Sequence, residues 1–495
     1  MSSQTPVTDF NSTHPIVAMD ACSLSRRIHS REISCLEVLD AFHEHIDKLN
    51  PIVNAIVARP EIEPLRDLAR ERDAQLSRGH SMGPLHGFPQ APKDIAPVAN
   101  MVTTNGSPIF KGQVTKVDSA ANANVRASGA IFIGRTNSPE FGLGGHTYNN
   151  VYGITRNAFD PTRSAGGSSG GAGVSLALRM LPVADGSDMM GSLRTPAAYN
   201  NVFGFRTSPG CVPHGPGEEV FFQQFSVTGP MARNIPDLAM LLSVQAGFDS
   251  RLPMTRRQDD PRKFNQPLET ELKGKRIGWL GNLGGHLPME AGMLDICEQS
   301  LEHFKTIGCS VEAVMPNFDV EQLFQAWVTL RSFTFAGGNA QHYHSAEKRP
   351  LLKPEAVWEI EQGLKLTGPE VFSAAKVRTA WYLELNRLFQ QYDFLVMPTT
   401  QVFPFIAETH WPQEIAGKKM DTYHRWMEAV VPVTMAGLPT LSVPAGFNVQ
   451  GLPVGMQIIG PQQADFAVLQ MGHGYDLVSQ YSRIQSPLLN DTFSH

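Results

Sequence analysis

Spacing alone predicts that the chain opens on helix. Ser34-Cys35-Leu36-Glu37 has the form of a capping box, a serine for the third helical N–H and a glutamate reaching back. Behind it Leu39, Phe42, Ile46 and Leu49 recur at intervals of three and four, one face of a helix expected to end before Asn50-Pro51. A second helical stretch, rich in Arg, Glu and Asp, is expected over 63–76. From Gly83 the texture changes to short apolar runs at 130–133, 174–178, 276–280, 394–397 and 441–443. Helical patterns intervene at 120–127, 235–242 and 294–304. Strands alternating with helices predict an α/β layered sheet. Residues 249–272 are polar and basic and read as a surface linker or insertion, and 320–392 as mostly helical.

Composition narrows the function classes. The 495 residues carry a net charge of −6, which excludes a polycation that grips nucleic acid by its phosphates and gives no attraction to anionic membranes. Five widely spaced cysteines without a CxxC pair argue against a disulfide framework or a zinc ribbon. The polar first residues lack a basic segment followed by an apolar one, and the most apolar stretch, 174–184, is interrupted by Arg179 and too short to span a bilayer. A soluble, cytoplasmic protein is the expectation. Glycine is the informative residue, because 15 of its 43 copies fall within residues 129–210. Backbone there must reach conformations or approaches that a side chain would prevent.

Three features within or near that segment carry chemistry. Gly166-Gly167-Ser168-Ser169-Gly170-Gly171 sets two uncrowded hydroxyls in permissive backbone. Alone it reads equally as a surface loop. As G-x-S-x-G it would make Ser169 the nucleophile of a strand-to-helix elbow, but turn-forming residues 160–165 precede it where an apolar strand is needed. In Gly186-Ser187-Asp188-Met189-Met190-Gly191-Ser192-Leu193-Arg194, successive N–H groups around a hydroxyl could hold an oxyanion. Lys93, in Gly83-Pro84-Leu85-His86-Gly87-Phe88-Pro89-Gln90-Ala91-Pro92-Lys93-Asp94, sits among Pro, Ala and Phe, and burial would lower its pKa toward that of a base.

Taken together and in order, these segments resemble the amidase signature family along almost the whole chain. Thr136-Asn137-Ser138-Pro139-Glu140-Phe141, Thr228-Gly229-Pro230-Met231-Ala232-Arg233, Ala436-Gly437-Leu438-Pro439 and the stretch from Gly451 to Pro461 extend the likeness, and Ser168 and Ser192 are 24 residues apart as in the family. The resemblance implies an α/β fold with a large mixed sheet covered by helices on both faces. It implies an N-terminal helical segment over 1–75 and a catalytic domain over 76–485, with substrate-shaping insertions near 249–272 and 320–425.

It also implies the roles. Ser192 is the expected nucleophile, Ser168 the proton relay in a cis peptide after Gly167, and Lys93 the base. The backbone N–H groups of Met189, Met190, Gly191 and Ser192 are the expected oxyanion hole, with Gly167, Ser169, Asp188 and Arg194 in support. No cofactor and no metal are implied. Cleavage of an amide, carbamate (urethane) or ester bond in a small molecule is the expected activity, without nucleic-acid or membrane partners, and a homodimer is the default oligomer. Two other readings stand beside it: the A subunit of a tRNA-dependent amidotransferase, which releases ammonia from glutamine beside partner subunits, and a catalytically dead scaffold.

Two positions depart from the family pattern. Met190 replaces a glycine before the nucleophile, keeping the backbone donor and placing beside it a thioether that would shape the acyl pocket and favour apolar groups, while methionines and aromatics in the loops over 221–225 and 403–423 favour aryl or medium-length acyl groups. Gln90-Ala91-Pro92 precedes the lysine, and Pro92 has no N–H for strand pairing. His342-x-His344 would put two imidazoles on one strand face without a third ligand, and His86 reads as structural. Phe221, Phe222, Phe225, Trp411 and Trp426 are candidates for a substrate channel or for core, and specificity is expected from loops over 221–225 and 403–423.

Overall fold

The capping box at Ser34 forms as its chemistry requires. Ser34 Oγ accepts from the Glu37 N–H at 3.1 Å, and the Glu37 carboxylate accepts from the Ser34 N–H at 2.7 Å. A computed structural model describes residues 14–491 of the chain except 216 and 223, so residues 1–13 of the expected N-terminal segment lie outside it. The helix does not stop before Asn50-Pro51 but runs over Cys35–Val53 with Pro51 in its last turn. What ends it is Asn54 in the left-handed region, while the Asn50 side chain accepts from Ala55 and Ile56 N–H and folds the chain back. Helix Ile62–Ser77 packs on it, and Asp73 accepts from the N–H groups of Cys35 and Leu36.

The central sheet has eight strands. In chain order they are β1 (Ala184–Asp188), β2 (Phe203–Arg206), β3 (Val227–Ala232), β4 (Arg276–Trp279), β5 (Ser310–Ala313), β6 (Phe394–Pro398), β7 (Thr440–Phe447) and β8 (Pro453–Ile459). Their spatial order is β5-β4-β6-β8-β7-β2-β3-β1. The β5-β4-β6 edge is parallel and the remainder antiparallel, so the sheet is mixed. Helices cover both faces. On one, Gly472 of helix Asp465–Ser479 lets Leu441 seat against it; on the other, Gly455 lies against Ala198 of helix Arg194–Tyr199. Leu441 pairs with Ile458, whose side chain points opposite to that of residue 455 by the two-residue alternation of a strand.

One apolar core joins Leu39, Phe42 and Leu49 of the N-terminal helices to Leu441, Val443 and Ile458 of the sheet. A second, built on Trp327, Trp381 and Trp426, includes Met190. It lies among helices Val320–His344, Pro354–Gly363 and Gly368–Leu388, the helical region expected from the sequence.

Several expectations need correction. Residues 174–178 lie in helix Gly170–Ala177 and the turn after it rather than in a strand: a buried run this short has no periodicity to separate the two. The 294–304 helix is two, Met293–Ser300 and Glu302–Thr306. His342 and His344 are on a helix, where a two-residue step turns side chains to opposite sides. His342 is buried between the rings of Phe110 and Phe141, and His344 is exposed. Residues 249–272 form turns and the short 3-10 helix Pro261–Asn265.

Candidate active site

Lys93 reaches the site on an irregular extended segment. Pro89–Gln90 pairs in parallel with Ile131–Phe132, and the Gln90 side-chain amide donates to Val183 O at 2.9 Å. Pro92 costs the segment no ladder bond on its acceptor side, since its carbonyl accepts from Thr136 N–H, and Lys93 then bridges to Thr136. From the far side the buried Arg135 guanidinium donates to the Lys93 carbonyl at 2.7 Å. Backbone on both flanks is held, and the side chain is 1 % exposed.

Lys93 Nζ donates to Ser168 Oγ at 2.7 Å and to Ser187 Oγ at 3.2 Å. Burial pulls its pKa down from 10.5 to about 7, against the attraction of Asp185 and Asp188 for its proton. Ser168 follows a cis peptide bond from Gly167, at the mouth of helix Gly170–Ala177. That helix enters so closely that a Cβ on Gly171 would sit 2.4 Å from Asn137 N and 2.5 Å from Ala55 O, which accounts for its glycine. Ser169 links the two serine segments through its backbone, its N–H donating to Ser192 O at 3.1 Å. Its hydroxyl is buried and makes no hydrogen bond among the described residues. Ser168 and Ser192 hydroxyls make no direct hydrogen bond to each other here; such contacts commonly tighten only with substrate bound.

The turn carrying Ser192 is organised by Asp188 at the end of β1. Its carboxylate receives Nε and Nη2 of Arg194, each at 2.9 Å, and Nη1 of Arg206 at 3.1 Å. Burial alone would raise its pKa, but the two guanidiniums and the N–H of Leu193 hold it far below the usual carboxylate range. Gly191 takes a φ of +77°, and its N–H also donates to Asp188 at 3.0 Å. Of the four N–H groups expected to form the oxyanion hole, that of Gly191 is thus engaged within the turn by Asp188. Arg194 continues to Gln457 Oε1 at 2.5 Å and Thr434 Oγ1 at 2.9 Å, tying the turn to β8 and helix Val431–Ala436.

The sequence reading missed Asp185, Ser187, Arg206, Gln457, Arg331 and Glu359. Alternation along β1 is the signal that could have found the first two, since Asp185 and Ser187 share the side opposite Asp188. Arg206 and Glu359 reach their partners only through long-range packing and leave no local signal. Arg331 stands beside Ser192 in a small cavity with Met189, Met190, Tyr423, His424 and Met427. Glu359 behind it accepts from Arg331 Nε at 2.5 Å, Tyr423 Oη at 2.6 Å and His424 Nε2 at 2.8 Å. Of the expected channel aromatics, Phe225 and Trp426 are core, while Phe221 and Phe222 are 72 % and 70 % exposed. His86 is structural, bonded to Met82 N–H and Arg72 O.

Residues 37–469 match the family described as Amidase. An acylamidase from Rhodococcus erythropolis is 29 % identical over 469 residues, covering 94 % of this chain and 96 % of the relative. The A subunit of a glutamyl-tRNA(Gln) amidotransferase from Symbiobacterium thermophilum is 31 % identical over 501 residues, covering 96 % and 99 %. The crystal structure of a bacterial aryl acylamidase of the amidase signature enzymes superposes with a TM-score of 0.88 at 29 % identity, over 95 % of this chain and 99 % of that one. A buried lysine bonded to Ser168, a second serine in an arginine-braced turn, and this agreement in sequence and fold lead to one conclusion: the chain belongs to the amidase signature family.

Proposed function

We propose that this protein is a serine hydrolase that cleaves carbonyl C–N bonds through an acyl-enzyme on Ser192. The observation that carries the reading is the Lys93–Ser168 hydrogen bond of 2.7 Å around a lysine whose pKa is about 7. Neutral Lys93 takes the Ser168 proton as Ser168 takes that of Ser192, and Ser192 Oγ adds to the carbonyl carbon. The oxygen that gains charge meets the N–H groups of Met189, Met190 and Ser192; a single such donor is worth about 2.7–4 kcal/mol in the transition state. The proton returns through Ser168 to the departing nitrogen, which leaves as a neutral amine. Water then repeats the sequence on the acyl-enzyme and releases the acid. Carbamate and ester bonds fall within the same chemistry, the ester having the easier leaving group.

The test is turnover of small amides by the purified chain alone, with covalent labelling by a fluorophosphonate. Labelling is expected in the wild type and lost in Ser192→Ala. Unchanged labelling of Ser192→Ala would overturn the nucleophile. Ammonia release from glutamine only with added partner subunits would move the protein to the amidotransferase reading, which the similarity to A subunits supports.

A further inference from the structure

Two cavities of very different size meet at the proposed active site. The larger, about 490 Å³, reaches Lys93, Asp185 and Ser187. The smaller, about 20 Å³, is the one that reaches Ser192. Met189 lines both and forms the wall between them, its Sδ accepting from Arg331 Nη1 at 2.9 Å.

Proton delivery decides which side of a scissile bond each cavity takes. On the mechanism proposed above, the leaving nitrogen is protonated by Ser168, which is bonded to Lys93. The nitrogen and its substituent therefore face the Lys93 cavity, and the acyl carbon's substituent turns the other way, toward Met190 and Arg331. A volume of about 20 Å³ exceeds the roughly 10–15 Å³ that one water needs by little, room for about a methyl group. Its far wall does not yield easily, because Arg331, Tyr423 and His424 are all fastened to the buried Glu359. The larger cavity has the size of a site for a whole small molecule. Phe141, Phe335, Leu252 and Met254 give it apolar surface, and its described lining holds the carboxylates of Asp185 and Glu219 but no arginine. An anionic amine would meet those carboxylates with only Lys93, which must be neutral to act as the base, to offset them; a flat, uncharged one would be accepted.

We infer that the protein selects amides joining a one- or two-carbon acyl group to a bulky, non-acidic amine, aryl amines foremost. This rests on the hydrolase reading above and replaces the medium-length acyl groups expected from the loops over 221–225 and 403–423. Size is set at opposite ends by different walls: acyl length by Met190, Met427 and Arg331, amine bulk by the Lys93 cavity.

The purified full chain can be assayed on two series. In the first, para-nitroanilides carry formyl, acetyl, butyryl or hexanoyl; in the second, acetyl is joined to ammonia, methylamine, aniline or naphthylamine. We expect kcat/KM to fall at least about tenfold from acetyl to hexanoyl and to rise at least about tenfold from acetamide to acetanilide, the scale at which pockets discriminate methylenes. In Met427→Ala the hexanoyl-to-acetyl ratio should rise about tenfold as the acyl wall recedes. A rate that climbs with acyl length in the wild type, or acetamide and glutamine cleaved as well as acetanilide, overturns the inference while Ser192 labelling keeps the hydrolase reading intact. Absence of fluorophosphonate labelling at Ser192 overturns both.

Discussion

Lys93 Nζ and Ser168 Oγ lie 2.7 Å apart, with the lysine 1 % exposed. An ammonium so enclosed has lost its water, and the two nearby carboxylates of Asp185 and Asp188 restore only part of the stabilisation, leaving a pKa of about 7. On the proposed mechanism the neutral form is the base, so activity should be low when Lys93 is protonated and rise with pH through about 7. Lys93→Ala should lose about 10²–10⁴ of kcat/KM and its acidic limb, read from a pH–rate profile. Full activity in that variant would refute the base.

Asp185 is the nearer lever on that limb. It lines the same cavity as Lys93, its Oδ2 accepts from the Lys93 N–H at 3.4 Å, and its charge favours the ammonium. The other charged groups about Lys93 are Asp188, held by Arg194 and Arg206, and Arg135, whose Nη2 is on the Lys93 carbonyl. Asp185→Asn keeps the size and removes the charge, so the Lys93 pKa should drop and the acidic limb move to lower pH, with the high-pH plateau less affected. The pH dependence of kcat/KM reads the free enzyme and checks this directly. A limb that stays in place would show that Asp185 does not tune the base.

How much of this was legible in the sequence divides along local and distant interactions. Lys93, Ser168, Ser192, Asp188 and Arg194 lie in motifs whose order along the chain marks the family, and the strands at 276–280, 394–397 and 441–443 announce themselves by composition. The run at 174–178 did not, because helix and strand bury five apolar residues equally well. Pro51 misled for a related reason: a proline in a last turn forfeits one hydrogen bond, and the signal that stopped the helix was Asn54. The acyl pocket was read from Met190 as apolar, yet Arg331 and Tyr423 come to it from 141 and 233 residues further on, distances at which no local pattern operates.

Asp188 supplies a prediction for stability. It is fully buried, with Arg194 and Arg206 both on its carboxylate. Arg194→Met removes one cation and also strands Gln457 and Thr434. Removing one partner of a buried ion pair costs about 3–5 kcal/mol, so the variant should unfold at markedly lower denaturant and lose turnover with it. The pKa of Asp188 is lowered in the folded state, so its contribution is present above the unfolded value of about 3.9 and is lost only as pH falls below that, toward the lower folded value. Denaturant midpoints across acidic pH should therefore show a smaller acid loss in Arg194→Met than in the wild type.

Gly191 tests the nucleophile turn without touching a side chain that reacts. Its φ of +77° is costly for any residue with a Cβ, and that atom would sit 2.8 Å from both methyls of Val430 and 2.9 Å from Thr195 Oγ1. Left-handed backbone alone costs roughly 1–2 kcal/mol, and the crowding adds to it. Gly191→Ala should reduce kcat far more than it raises KM, because a displaced turn misaims the N–H groups that meet the developing oxyanion. Steady-state kinetics with a thermal melt separates the two contributions: a few degrees lost in Tm with unchanged kcat would show that the turn tolerates the shift.

On the proposed orientation of the substrate, Glu359 closes the acyl side. It is fully buried and accepts from Arg331, Ser332, Tyr423 and His424; burial would raise its pKa, but Arg331 and His424 hold it below the usual range. Glu359→Gln keeps the shape but exchanges one acceptor oxygen for a donor and leaves the Arg331 charge uncompensated. A buried charge that loses its partner costs about 3–5 kcal/mol, so a large fall in denaturant midpoint is expected. Arg331, Tyr423 and His424 line the cavity at Ser192, so their release should also relax the acyl wall. The measurable sign is kcat/KM falling for acetyl anilides more than for hexanoyl ones, while a small fluorophosphonate still labels Ser192. Equal losses across acyl lengths would place the effect in folding alone and remove Glu359 from the control of the acyl pocket.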